Sequence, residues 1–147
     1  DFAIAFAILI IMMLYYSISP TWNVLFLPLL ILIMILSALG MGMWLSSLAI
    51  QYRDVKFALN YITTLLMYTA PVVFPASLIL EKFGNTAYLL YGIYPMVGVI
   101  EGFRAALLGF RPMPWELIII GAISSLVLFV TGGSYFKRTE RIFADVA

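Results

Sequence analysis

The chain has 147 residues, 65% of them hydrophobic and 10% charged, with a net charge of +1 and neither cysteine nor histidine. A soluble domain is about 45–50% apolar and about 25% charged, so this composition cannot coat a water-soluble core, and the solvent it fits is a bilayer. No basic field invites nucleic acid, disulfides and thiolate metal sites are excluded, and the usual neutral-pH proton carrier is missing.

The chain starts with Asp1 rather than Met, and Phe2–Ser19 is already at full hydrophobicity. There is no basic n-region and no small-residue cleavage site of the kind that marks a secretory signal. The simplest expectation is a fragment whose N-terminal part is missing. A spanning helix needs about 20 mostly apolar residues. Four segments qualify, at about 2–19, 24–50, 57–74 and 115–136. The second would reach about 40 Å, so it tilts or projects past a hydrocarbon core of about 30 Å.

Between the first two spans lies SPTWN, a tight hairpin. Its Pro20 stops a helix, and Trp22 with Tyr15 and Tyr16 suits the headgroup layer. In the second span Ala38, Gly42 and Ser46 recur every fourth residue, with Gly40 and Ser47 beside them, and such small residues let helices approach closely. They fit packing within the chain, or a seam between two copies. Then comes QYRDVK, where Arg53, Asp54 and Lys56 interrupt a chain that has no charge from Phe2 to Tyr52 or from Phe57 to Leu80. Basic residues in short loops mark the cytoplasmic side. Arg53, Lys56, Lys137, Arg138 and Arg141 fall on one side of the four-span plan. Lys82, Arg104 and Arg111 fall on the other. The bias puts QYRDVK and the tail, 137–147, in the cytoplasm. Lys56 needs only this topological role, whereas Arg53 and Asp54 are also placed to touch a partner protein or lipid headgroups.

The stretch 77–112 is apolar but repeatedly broken by Gly and Pro. It reads as a re-entrant helical hairpin that dips in from outside, with its broken backbone covered by protein or a wet cavity. The alternative is a pair of helices lying flat at the interface. Within it Glu101 and Arg104, three apart, share a helix face. They are expected to pair, as a brace for the hairpin or as a contact to cargo. Tyr88, Tyr91 and Tyr94 recur every third residue, either as interfacial anchors or as stacking faces for sugars in a conduit.

Catalytic and cofactor motifs are missing. Without His or Cys there is no conventional triad or zinc site, and without G-x-x-x-x-G-K-[ST] the chain binds no ATP in the P-loop manner. Ion-coupled carriers place ionisable groups inside their spans, and here only Glu116 stands at the edge of one. What remains is a passive conduit, an exporter driven by a separate ATPase, or a membrane scaffold.

Three stretches then carry a resemblance: LSALGMGMWLSSLAIQYRDVKFALNYITTLLMYTAPVVFPASLI, YPMVGVIEGFRAALLG and SYFKRTERIFADVA. Together they resemble the C-terminal two-thirds of a type-2 ABC exporter permease, closest to the bacterial polysaccharide exporters of O-antigen, capsule and teichoic acid. The resemblance implies an all-α membrane protein of six spans, of which these would be the third to sixth, with the re-entrant hairpin before the last. It implies a homodimer in the cytoplasmic (inner) membrane, in contact with lipid. Two cytoplasmic ATPase subunits would drive it, and a polysaccharide or lipid-linked glycan would be its cargo. Lipids, drugs or other hydrophobic cargo are the alternatives within the same family.

Overall fold

The computed structural model describes residues 2–18, 20–72 and 74–144, with side chains up to residue 140. Within them the regular elements are α1 (Phe2–Tyr15), a 3-10 turn (Trp22–Phe26), α2 (Leu27–Gln51), α3 (Val55–Thr69), α4 (Ser77–Tyr91), α5 (Pro95–Leu108) and α6 (Trp115–Ala144), with no strand among the described residues. The boundaries have local causes. Pro28 and Pro95 occupy the first turns of α2 and α5, where a missing N–H costs nothing and φ is preset. Gly109, at φ 67°, ends α5 in the left-handed conformation that a residue without Cβ adopts freely. Gly84, at φ 80° and ψ 178°, breaks α4 in the middle.

Among the described residues, two helices are long and apolar enough to cross a membrane: Trp22–Gln51, counting the 3-10 turn, with 30 residues and mean hydropathy 2.8, and Trp115–Glu140, with 26 residues and mean hydropathy 2.1. The first and third expected spans hold shorter helices, of 14 and 15 residues. These reach only about 21–22 Å. Helix α1 gives way to a turn at Tyr16 and Ser17, where Ser17 has φ 54°. Helix α3 stops before Pro71, because the residue preceding a proline is pushed out of the helical region; Ala70 sits at ψ 146°. Ser19 and Val73, inside those two expected spans, and the tail residues 145–147 lie outside the described residues, as does the side chain of Arg141.

Helices α2 and α6 run parallel and stay in step over their shared length. At one end the rings of Phe26 and Trp115 meet edge-on with centroids 4.8 Å apart. Further along, Trp44 donates from Nε1 to Thr131 Oγ1 at 3.1 Å and stacks on Tyr135 at 4.7 Å. At the other end Gln51 donates from Nε2 to Thr139 Oγ1 at 3.1 Å, and Tyr135 donates its phenol proton to Gln51 Oε1 at 2.8 Å. Between these points the two backbones touch. A Cβ on Gly40 would lie 2.6 Å from the Phe129 nitrogen, and one on Gly132 would lie 2.5 Å from the Gly40 carbonyl oxygen.

This seam sorts the small residues of α2. The small residues that let α2 approach its neighbour are Ser37, Gly40 and Ser47, all buried. Ala38, Gly42 and Ser46 face outward, and a Cβ on Gly42 would meet nothing within 4 Å. Both stripes contain small residues at helical spacing, and they are rotated apart on one helix. Only the position of α6 decides which of them is covered.

Helix α5 fills the angle between α2 and α6. Its buried residues include Val97, Gly98, Val99, Gly102, Ala105 and Ala106. Gly98 lies against the Leu117 carbonyl and Gly102 against the Leu30 side chain. Leu30, Val99, Ala106 and Ile118 form the centre of this core. Helix α1 joins through Met13 and through Phe2 and Phe6, which meet Phe103. The outside is as apolar as the inside: Ile4, Leu14, Leu25, Phe57, Leu65, Ile123 and Val130 are all more than half exposed.

Candidate functional site

One cluster of polar groups in this apolar bundle lies where the segment joining α3 to α4 crosses α5. Glu101 and Arg104 are one turn apart on α5. Glu101 Oε1 accepts from Arg104 Nη1 at 2.6 Å and from the backbone N–H of Ala76 at 2.7 Å. Arg104 also donates from Nη2 to the Pro71 carbonyl at 2.9 Å. Pro71 and Ala76 are both buried in a linking segment with no helical ladder of its own, and a buried backbone group must find a partner. The ion pair supplies an acceptor for one and a donor for the other. Glu101 is 8% exposed, while the Arg104 side chain keeps 32% of its surface.

The three tyrosines lie beside this clasp. Tyr91 donates its phenol proton to the Thr69 carbonyl, and Tyr94 donates to the Leu66 carbonyl at 3.2 Å. The Thr69 carbonyl is at the end of α3, where a helix runs out of its own donors, whereas the Leu66 carbonyl also accepts from the Ala70 N–H at 3.1 Å. Two tyrosines from the α4–α5 corner thus tie down the end of α3. All three rings are half-buried and pack around Ala76, Val97 and Leu117. Burial first, and then the negative charge of Glu101, pushes the Tyr91 phenol up to about 12 and that of Tyr88 up from its usual 10. Burial alone raises Tyr94. The phenols therefore stay protonated donors at any physiological pH.

A cavity of about 370 Å³ opens next to the clasp, lined by Ala76, Tyr88, Glu101, Arg104, Phe110, Arg111 and Met113 among others. A second hollow of about 280 Å³ lies between α2, α3 and α5, with Ala38, Met41, Gly42, Thr63, Leu66 and Tyr94 on its walls. No three His, Cys, Asp or Glu side chains among the described residues converge as metal ligands.

Arg53 and Asp54 stand apart from all this, exposed in the turn between α2 and α3. The Asp54 carbonyl, rather than its side chain, starts α3 by accepting from the N–H groups of Phe57 and Ala58. The Gln51–Thr139 bond brings that turn beside the α6 residues Lys137 and Arg138, both exposed. Trp44, Gln51, Thr131, Tyr135 and Thr139 form a polar ladder that sequence reasoning missed. Its bonds join residues 84 to 88 apart, and no local spacing signals them.

With this geometry in view, the comparisons with known proteins are few. No family model matches the chain, and no solved structure matches it. Over 145 residues, 99% of the chain, it is 24% identical to the O-antigen export system permease protein RfbA of Myxococcus xanthus. The chain is similar to an export permease. It spans 55% of that relative's length, and the match is consistent with a C-terminal portion of a type-2 ABC permease.

Proposed function

We propose that the chain is part of the transmembrane permease of an ATP-driven exporter that moves a lipid-linked polysaccharide out across the cytoplasmic membrane. The observation that carries this reading is the similarity to an O-antigen export permease over 99% of the chain. An exterior of exposed Leu, Ile, Phe and Val supports a lipid surround, since in water patches of that size mark interfaces or aggregation. Parallel α2 and α6 require the chain to return between them, and α3 is the element placed to do so. In this reading α1 and α3 also cross the membrane, with the turns at their ends completing the depth, and the chain contributes four of six spans.

The corner between α4 and α5 supports a re-entrant hairpin. Gly92 lies against Leu117 and Ile120, and Pro95 against Gly121, about 9 Å along α6 from its start. A corner at that depth is sheltered by α6, the condition under which irregular backbone is tolerated in a membrane. The charge pair at Glu101 and Arg104 then braces the hairpin. Arg53, Lys56, Lys137 and Arg138 cluster at the far end of the α2–α6 pair and face the cytoplasm. There Arg53 and Asp54 meet a partner ATPase or lipid headgroups. Energy comes from that ATPase, because this chain has no phosphate loop, and the working unit is a homodimer.

The test is genetic and chemical together. Deleting the gene should strip polysaccharide from the cell surface and leave lipid-linked glycan inside, and the full-length protein should restore export only with its ATPase. A normal glycan coat in the deletion strain would overturn the assignment of cargo.

A further inference from the structure

The cavity beside Arg104 lies at the end of the bundle where α6 begins, with Met113 on its wall. That end also carries Trp22, 96% exposed, and Trp115, 42% exposed. Exposed tryptophans at the ends of long apolar helices sit at headgroup depth. A guanidinium has five N–H donors in a fixed fork. Glu101 and the Pro71 carbonyl engage two of those on Arg104 and thereby orient the plane, leaving donors for a ligand. Arg111 is exposed on the same lining, which Tyr88 shares. Glu101 balances Arg104, so Arg111 leaves the lining with one positive charge in excess. Leu108 and Phe110 make the rest of the mouth apolar.

We propose that this cavity seats the phosphodiester headgroup of a membrane phospholipid, with Arg104 and Arg111 on the phosphate oxygens and the acyl chains leaving over Leu108 and Phe110. One negative charge on the phosphodiester meets Arg111, the cation on the lining that Glu101 does not pair. A volume of about 370 Å³ falls in the range of small-molecule sites. The site needs only that the chain sits in a bilayer, so it stands or falls separately from the export of glycan.

The test uses the full-length protein with a benzophenone side chain installed at position 110, reconstituted with phosphatidylglycerol and irradiated, with adducts read by mass spectrometry. A phosphatidylglycerol adduct is expected. Arg111→Gln should reduce it roughly fivefold, the effect of removing one basic residue next to an anionic lipid, and Arg111→Lys should keep most of it. Arg111 is exposed, so folding is not at issue, and unchanged elution on size exclusion checks that. Three results would overturn the proposal. One is no adduct, or an adduct indifferent to Arg111→Gln. Another is labelling by uncharged diacylglycerol as strong as by phosphatidylglycerol. The third is labelling by polyprenyl-linked glycan in preference to phospholipid, which would hand the site to the cargo.

Discussion

The two sides of this bundle are built on different physics. On one side α2 and α6 touch backbone to backbone at Gly40 and Gly132 and are tied by a ladder of hydrogen bonds and stacked rings. On the other, no residue of α3 or α4 is buried. Apart from the rings of Tyr88 and Tyr91 on Val97 and Leu117, those helices are held by a few polar contacts: Tyr91 and Tyr94 to the end of α3, and the Glu101–Arg104 clasp to the linking segment. Close packing is distributed, so it yields gradually. A clasp is concentrated in a few atoms and fails at once. The lesson is that the same apolar composition supports a rigid seam where glycines allow contact, and a side that depends on single polar groups where they do not.

The largest effect is therefore expected at the clasp. Arg104→Gln strands the carboxylate of Glu101, and breaking a buried pair in this way costs about 3–5 kcal/mol. Glu101→Gln costs less, about 1.5–3 kcal/mol for a lost charged hydrogen bond, because a third of the Arg104 side chain still reaches solvent. Denaturation of the full-length protein in mixed micelles measures both. Equal losses, or none, would break the picture of a buried acceptor and a half-exposed donor. Exchanging the charges, Glu101→Arg with Arg104→Glu, should not restore stability. It would point a cation at the Ala76 N–H and a carboxylate at the Pro71 carbonyl. Recovery by the exchange would mean that the backbone bonds contribute little.

The legibility of these features in the sequence follows their range. The expected second and fourth spans, 24–50 and 115–136, lie within the two long helices, whereas the runs 2–19 and 57–74 are cut short by the turn at Ser17 and by Pro71. The Glu101–Arg104 contact is one helical turn long, so spacing alone suggests it. The burial of α5 was hidden, because Gly98, Gly102 and Glu101 look like loop or interface residues until Leu117 and Leu30 arrive against them. Which small residues of α2 are covered within the chain is not legible, because Gly40 and Gly42 are equivalent by composition and differ only in what α6 does.

The seam offers the next two tests. Gly40→Ala puts a methyl group where the Phe129 backbone already is. Overpacking of this kind costs about 1–3 kcal/mol, more than a flexible neighbour would charge, because backbone cannot rotate away. If Gly40→Ala is silent, the helices are not in contact. Gln51→Leu removes the link to Thr139 and the acceptor of Tyr135. Hydrogen bonds between helices in a membrane contribute about 0.6–2 kcal/mol, so a loss in that range is expected. A gain in stability would mean that the ladder serves something other than holding the seam.

The smallest change is the most informative about what surrounds the chain. Gly42 lies two residues from Gly40 on the same helix but faces open space. Replacing a helical glycine by alanine removes backbone entropy from the unfolded state and gains about 0.5–1 kcal/mol where there is room. Gly42→Ala should therefore stabilise the full-length protein slightly while Gly40→Ala destabilises it. The contrast breaks if Gly42→Ala costs 1 kcal/mol or more. In that case another backbone lies against Ala38, Gly42 and Ser46 in the assembled protein, from a second copy or from elsewhere in the full-length chain. Repeating the measurement across a range of protein concentrations separates the two. A cost that grows as the protein assembles belongs to a seam between copies, and one that is independent of concentration belongs to a helix of the same chain.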